Sequence, residues 1–224
     1  MTIKNNILEL LKNCIFDGIL TENDFWYKIV DQLPNHLSFR VYSGASKLVL
    51  IPDGADYVIK IPFTGRETES YDADEDDYYE DYIDFSEALY GKGWDYCLTE
   101  AVLYHKAKQN KVEKVLCKTQ FIGKINEHPI YIQERAILYW DRERYNEDQE
   151  KRAPYSDKAL GLCMKENYAQ FNNKWITDAY MYYGEKLFNK IMAFITSNIC
   201  DLHGENIGYI GNRPVILDYS SWYD

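Results

Sequence analysis

Between Glu67 and Glu87 the chain carries eleven acidic residues and not one Lys or Arg. No hydrophobic core takes up such a stretch, because buried carboxylates need partners and dense like charge resists compaction. The 224-residue chain must therefore fold on either side of an exposed, partly mobile insertion, placed at residues 64–93. The eleven charges equal the whole net charge of −11, so the rest of the chain is electrically balanced. Tyr71, Tyr78, Tyr79 and Tyr82 are interleaved with the carboxylates. A solvated loop accounts for the tract, as do a docking surface for a basic partner, a metal-binding tract and a DNA mimic.

Outside the insertion the composition is that of a folded protein, 46% hydrophobic and 16% aromatic. The length suits one large domain or two small lobes. The net charge of −11 argues against a general nucleic-acid-binding surface, which needs clustered Lys and Arg to neutralise phosphates, and leaves local basic patches open. Five scattered cysteines, odd in number and without C-x-x-C spacing, imply reduced thiols and a cytoplasmic setting. Polar residues near the N-terminus and the lack of a long apolar run predict neither a signal peptide nor a membrane span.

Taken in order, the periodicity predicts helices at 2–13 and 21–33, then three antiparallel strands over 37–63, with Pro52-Asp53-Gly54-Ala55-Asp56 as a turn. After the insertion, a helix is expected from Trp94 to Asn110, with Cys97, Leu98, Ala101, Val102, Tyr104 and Ala107 as its apolar face. Strands follow at 115–123 and 129–136, a charged connection at 141–154, and helices at 156–168 and, as one long element, 174–196.

The chemistry concentrates near the end. Asp201-Leu202-His203-Gly204-Glu205-Asn206 reads as a tight loop, and Asp218 closes the strand-like Val215-Ile216-Leu217 twelve residues after Asn206. One base and two oxygen ligands are what in-line phosphoryl transfer from a magnesium nucleotide requires.

This arrangement resembles the catalytic loop of the protein-kinase-like superfamily, where D-L-K-P-E-N or D-L-H-P-x-N precedes a D-F-G or D-x-x turn. The resemblance implies an α+β, two-lobed fold: N-terminal helices at 1–36, a small lobe with an antiparallel sheet at 37–136, and a minimal helical large lobe at 137–224. It implies ATP and Mg²⁺ as cofactors, Asp201 as catalytic base, and Asn206 and Asp218 as metal ligands. Tyr57-Val58-Ile59-Lys60 resembles V-A-I-K, whose Lys contacts the α and β phosphates; an edge-strand or snorkelling Lys is the alternative. Glu100 would pair with Lys60, with Glu87 as competitor. The turn holding Gly44 and Ser46 lies where kinases carry their glycine-rich loop, although a single glycine is also an ordinary turn. The backbone from Gln133 through Arg135 to Ala136 would read the adenine edge.

Departures from the pattern bear on function. Ile199-Cys200-Asp201 stands in place of H-R-D, and His203 replaces the Lys that many protein kinases set against the transferred phosphate, a feature shared with small-molecule phosphotransferases. Six residues follow Asp218, too few for an activation segment. The expected activity is ATP-dependent phosphorylation of a protein hydroxyl. The alternatives are a kinase-like binding or inhibitor protein acting through the acidic insert, an aminoglycoside-type small-molecule kinase and, more weakly, a nucleotidyl transferase. Likeness to small bacteriophage and bacterial kinase-like proteins implies a host cytoplasm and a host protein as partner or substrate.

Overall fold

The computed structural model describes residues 3–14, 18–44, 46–72, 77–84, 95–139, 173–199, 202 and 204–219, with 66–72, 77–84 and 173 described by their backbone alone. The elements in chain order are α1 (Ile3–Leu11), α2 (Phe25–Lys28), β1 (Phe39–Ser43), β2 (Lys47–Pro52), β3 (Tyr57–Pro62), β4 (Gly65–Asp72), β5 (Asp77–Asp84), α3 (Tyr96–Gln109), β6 (Thr119–Ile125), β7 (His128–Glu134), β8 (Ile137–Leu138), α4 (Asn173–Tyr183), α5 (Glu185–Asn198), β9 (Ile207–Ile210) and β10 (Arg213–Ile216). Helices and antiparallel strand pairs together make this an α+β chain. It divides into two units, residues 1–98 with 119–133 and residues 99–118 with 134–224.

The first unit is built on a five-stranded sheet in the order β1-β2-β3-β7-β6. The alternating 37–63 segment folds as the expected meander, with Val41 opposite Leu50 and Leu50 opposite Ile59. The sheet buries Leu48, Leu50, Ile59, Ile61, Ile122 and Ile130 together with Ile7 and Leu11 of α1. Asn126 and Glu127, both at positive φ (45° and 68°), make the tight turn between β6 and β7. β6 starts at Thr119 instead of Val115, because residues 113–115 form a 3₁₀ turn.

The helix expected at 21–33 is reduced to α2 and a 3₁₀ turn at Val30–Gln32. Five of the six residues from Phe25 to Val30 are aromatic or β-branched, weak helix formers that pack equally well without a regular helix. The acidic insertion is more regular than its charge suggests. β4 and β5 pair antiparallel over eight residues each, with Glu69 opposite Glu80 and Asp72 opposite Asp77. Its Thr, Tyr and Ile are of the residue types enriched in strands.

Asp95 starts α3, its Oδ1 accepting the Leu98 N–H at 2.9 Å, an N-cap of the usual kind. The helix's buried stripe is Tyr96, Glu100, Leu103 and Ala107, flanked by Cys97. That differs from the apolar face expected, since Leu98 and Val102 are 43% and 56% exposed. The stripe follows the 3-and-4 spacing through Glu100, so a carboxylate occupies a position where an apolar residue is ordinary.

In the second unit, a three-stranded sheet in the order β10-β9-β8 packs with α4 and α5 around Trp175, Phe188, Ile191, Ile195, Ile207 and Ile216. The single helix expected at 174–196 is two. Gly184, at φ 73°, breaks it between Tyr183 and Glu185, a left-handed conformation that glycine adopts without penalty. The segment 156–168 lies outside the described residues. Among the described residues no helix is long and apolar enough to cross a membrane.

Cys14 is buried beside the Ile29 carbonyl, and that burial pushes its thiol up to about 11. The unfolded thiol ionises near its ordinary 9.0 while the folded one keeps its proton, so this contribution to stability is present below that value and lost as pH rises towards 11. Denaturant midpoints are expected to fall between about pH 8 and about pH 10.5, and less steeply in Cys14→Ala. Equal slopes for both proteins would remove Cys14 as a cause.

Candidate functional site

Three features gather the predicted residues of the second unit. The first is the β9–β10 hairpin, in which Ile207 pairs with Ile216 and Ile210 with Arg213. Gly211 supplies the positive φ (61°) that a two-residue turn needs at its first position. At the open end, Asn206 precedes β9 in a 3₁₀ turn and Asp218 lies two residues beyond β10. The Leu217 N–H donates to the Asn206 carbonyl at 2.8 Å. Residues twelve apart in sequence thus share one hairpin mouth, Asn206 buried and Asp218 half-buried.

The second feature is the strand crossing from Glu134 to Tyr139. β8 pairs with β9 so closely that Leu138 lies opposite Gly208, and a Cβ there would stand 2.3 Å from the Ile137 carbonyl oxygen. Glu134 Oε2 accepts from the Lys118 N–H at 3.0 Å and from Arg213 at 3.1 Å, tying this crossing to β10. The Glu134 N–H is itself engaged by the Lys118 carbonyl at 3.1 Å, and the Arg135 side chain is half-buried.

The third feature is Glu100, fully buried within α3. A solvated surface Glu, the ordinary fate of that residue type, is excluded. Burial of a carboxylate costs several kcal/mol unless it is paired, so Glu100 is a residue whose surroundings must compensate its charge.

In the first unit, Lys60 lies on β3, the middle strand of five, and is 4% exposed. Both alternatives to a site role, an edge-strand and a snorkelling lysine, are excluded by that position and burial. Residues Val58 to Pro62 are all buried, so Lys60 is a buried lysine within a buried strand. Lys47, at the start of β2, is a second buried lysine that sequence patterning did not single out. Gly44 donates its N–H to the Lys47 carbonyl at 3.1 Å, and open space surrounds the place of its missing Cβ, so no steric demand requires glycine there. The Ser46 carbonyl accepts the Phe63 N–H at 2.9 Å. Gln133 spends its amide on Thr119 Oγ1 at 2.8 Å, across the β6–β7 ladder.

No family model, curated protein or solved structure matches this chain. The site must be judged on its own chemistry.

Asp201 and His203 lie outside the described residues, as does the competing Glu87. Among the described residues no group of three or more His, Cys, Asp and Glu side chains gathers to hold a metal. Asn206 and Asp218 offer one amide and one carboxylate oxygen. That donor set fits magnesium, which takes one or two protein oxygens and completes its shell with water and substrate phosphates. Burial pushes the phenol of Tyr183 up, and burial with the Glu134 and Glu113 charges does the same for Tyr104. Both phenols stay protonated at neutral pH, and that of Tyr183 lies within hydrogen-bonding distance of the Pro214 and Lys114 carbonyls.

Two residues that patterning missed matter here. Asp95, besides capping α3, accepts the Tyr131 hydroxyl at 2.6 Å. An Asp just before an apolar helical run was the available signal. Tyr219 had no signal among 21 tyrosines.

Proposed function

We propose that the chain is an ATP- and magnesium-dependent phosphotransferase of protein-kinase-like type that acts on a protein hydroxyl. The observation that carries the proposal is the hairpin mouth, where the Leu217–Asn206 backbone bond holds Asn206 next to the segment bearing Asp218. Support comes from a lysine and a glutamate buried on the element types that the kinase-like pattern assigns to them, Lys60 on a strand and Glu100 on a helix.

In this reading Lys60 holds the α and β phosphates, and Glu100 is the carboxylate that the kinase-like pattern assigns to the helix. Asn206 and Asp218 would hold Mg²⁺, which when bound neutralises charge on the phosphates. Asp201 accepts the proton of the substrate hydroxyl as its oxygen bonds to the γ-phosphorus and the bond to ADP breaks. Backbone groups from Gln133 to Ala136 read the adenine edge, and the turn holding Gly44 and Ser46 takes the place of the glycine-rich loop.

The test is a thermal-shift titration. ATP with Mg²⁺ at about a hundred times its Kd is expected to add roughly 2.7 kcal/mol, and so to raise the melting temperature by several degrees. Labelled ATP with a host extract is expected to label protein. No nucleotide-dependent shift at all would sink the reading.

One observation favours a second reading, a kinase-like binding protein. The β4–β5 ribbon sets carboxylate-bearing residues directly opposite each other at two positions, and a basic partner would relieve that repulsion. Deleting residues 67–87 would then abolish function, and Asp218→Ala would not.

A further inference from the structure

We infer that Tyr219 is a positioning residue for Asp218, its hydroxyl and the Cys117 backbone clamping the chain on both sides of that carboxylate. The inference rests on the metal-ligand reading of Asn206 and Asp218. Both backbone groups of Cys117 engage one four-residue segment. Its N–H donates to the Ile216 carbonyl at 2.9 Å, two residues before Asp218. Its carbonyl accepts the Tyr219 hydroxyl at 2.7 Å, one residue after. A parallel bridge between Leu116 and Ile216 extends the same contact.

Cys117 and Tyr219 are fully buried, so water does not compete for these bonds. Ile216 is also paired with Ile207, and the Leu217 N–H with the Asn206 carbonyl. Each residue flanking Asp218 is thus held, which confines the half-buried carboxylate between them to a narrow range of positions. A metal ligand gains affinity from such confinement, because less freedom is lost on coordination.

Tyr219→Phe removes the hydroxyl and keeps the ring. The Mg²⁺ concentration giving half of the ATP-dependent thermal shift is expected to rise roughly fivefold, the equivalent of one buried hydrogen bond. The ATP response without Mg²⁺ is expected to stay unchanged. Tyr183→Phe serves as the control. Its hydroxyl also lies within hydrogen-bonding distance of backbone carbonyls, Pro214 at 2.6 Å and Lys114 at 2.9 Å, but towards the turn end of the hairpin. It should lower basal stability to a similar degree and leave the Mg²⁺ dependence at the wild-type value. A wild-type Mg²⁺ dependence in Tyr219→Phe, or an equal displacement in both variants, overturns the clamp and leaves the phosphotransferase reading standing. Absence of any Mg²⁺-dependent shift in the wild-type protein overturns both.

Discussion

Asp218→Ala is expected to abolish the magnesium-dependent part of nucleotide binding and to cut phosphate transfer by about a thousandfold or more, since a bound divalent ion contributes several kcal/mol of charge stabilisation. The reason is local. Asn206 alone offers a neutral amide oxygen, and a hard dication needs at least one carboxylate to compete with water for it. Asp218 is half-buried at the end of a hairpin whose ladder and closing bond are made by backbone groups. Those backbone bonds do not depend on its side chain, so the hairpin should persist in Asp218→Ala, and the melting temperature without ligand measures what else the carboxylate holds. Isothermal titration with ATP, with and without Mg²⁺, and a labelled-transfer assay measure the two effects. Full retention of Mg²⁺-dependent binding in Asp218→Ala would refute its role as ligand, and collapse of the unliganded protein would make it structural.

Gly208→Ala is expected to have the largest effect on stability. The added Cβ would meet the Ile137 carbonyl oxygen at 2.3 Å, the Ile137 carbonyl carbon at 3.1 Å and Leu138 Cα at 3.3 Å. All three are backbone atoms and none can rotate aside, so β8 has to leave β9. The β8–β9 interactions go with it: the Ile137–Tyr209 and Leu138–Gly208 pairings and the Tyr139 N–H bond to the Ile207 carbonyl at 3.1 Å. Overpacking alone costs about 1–3 kcal/mol, and the lost pairings bring the expected total to about 3 kcal/mol or more. For a chain of this length that lowers the melting temperature by roughly 6–12 °C. Gly44→Ala, where nothing lies within 4 Å of the new methyl group, is the matched control and should stay within about 0.5 kcal/mol of wild type. Calorimetry of the two variants side by side decides it, and equal melting temperatures would refute the close approach of β8 to β9.

Much of the first unit is legible from period-two patterning, because β1, β2 and β3 alternate or run apolar between clear turn residues. Lys60 is legible for the same reason, as a charge inside an apolar strand. The buried face of α3 is harder to read. Apolar counting passes over Glu100 and favours Leu98 and Val102, both exposed, whereas the true stripe runs through the carboxylate. The break between α4 and α5 has a visible cause in Gly184, yet an isolated glycine within a helical pattern is tolerated often enough that only its φ of 73° decides the matter. Asn206 and Asp218 are legible as a motif, but their shared location depends on a hairpin whose turn, Gly211-Asn212, is the local signal for it. The Tyr219 bond is not legible at all: its acceptor is a backbone carbonyl 102 residues earlier, and backbone groups leave no trace in residue identity.

The interleaving of the two units has a consequence for biosynthesis. Residues 1–98 and 119–133 complete the first unit, so it can close once about 133 residues have left the ribosome. Residues 99–118 belong to the second unit, and the backbone partner of Cys117 is Ile216. That part of α3 and the apolar Val115-Leu116-Cys117 run must therefore wait, unpaired, while roughly a hundred further residues are made. A nascent chain arrested before the final hairpin would pair a finished first unit with bare apolar surface, the state in which chaperone capture and aggregation compete. Slow translation over residues 140–206 should accordingly lower the yield of native protein more than slow translation before residue 98.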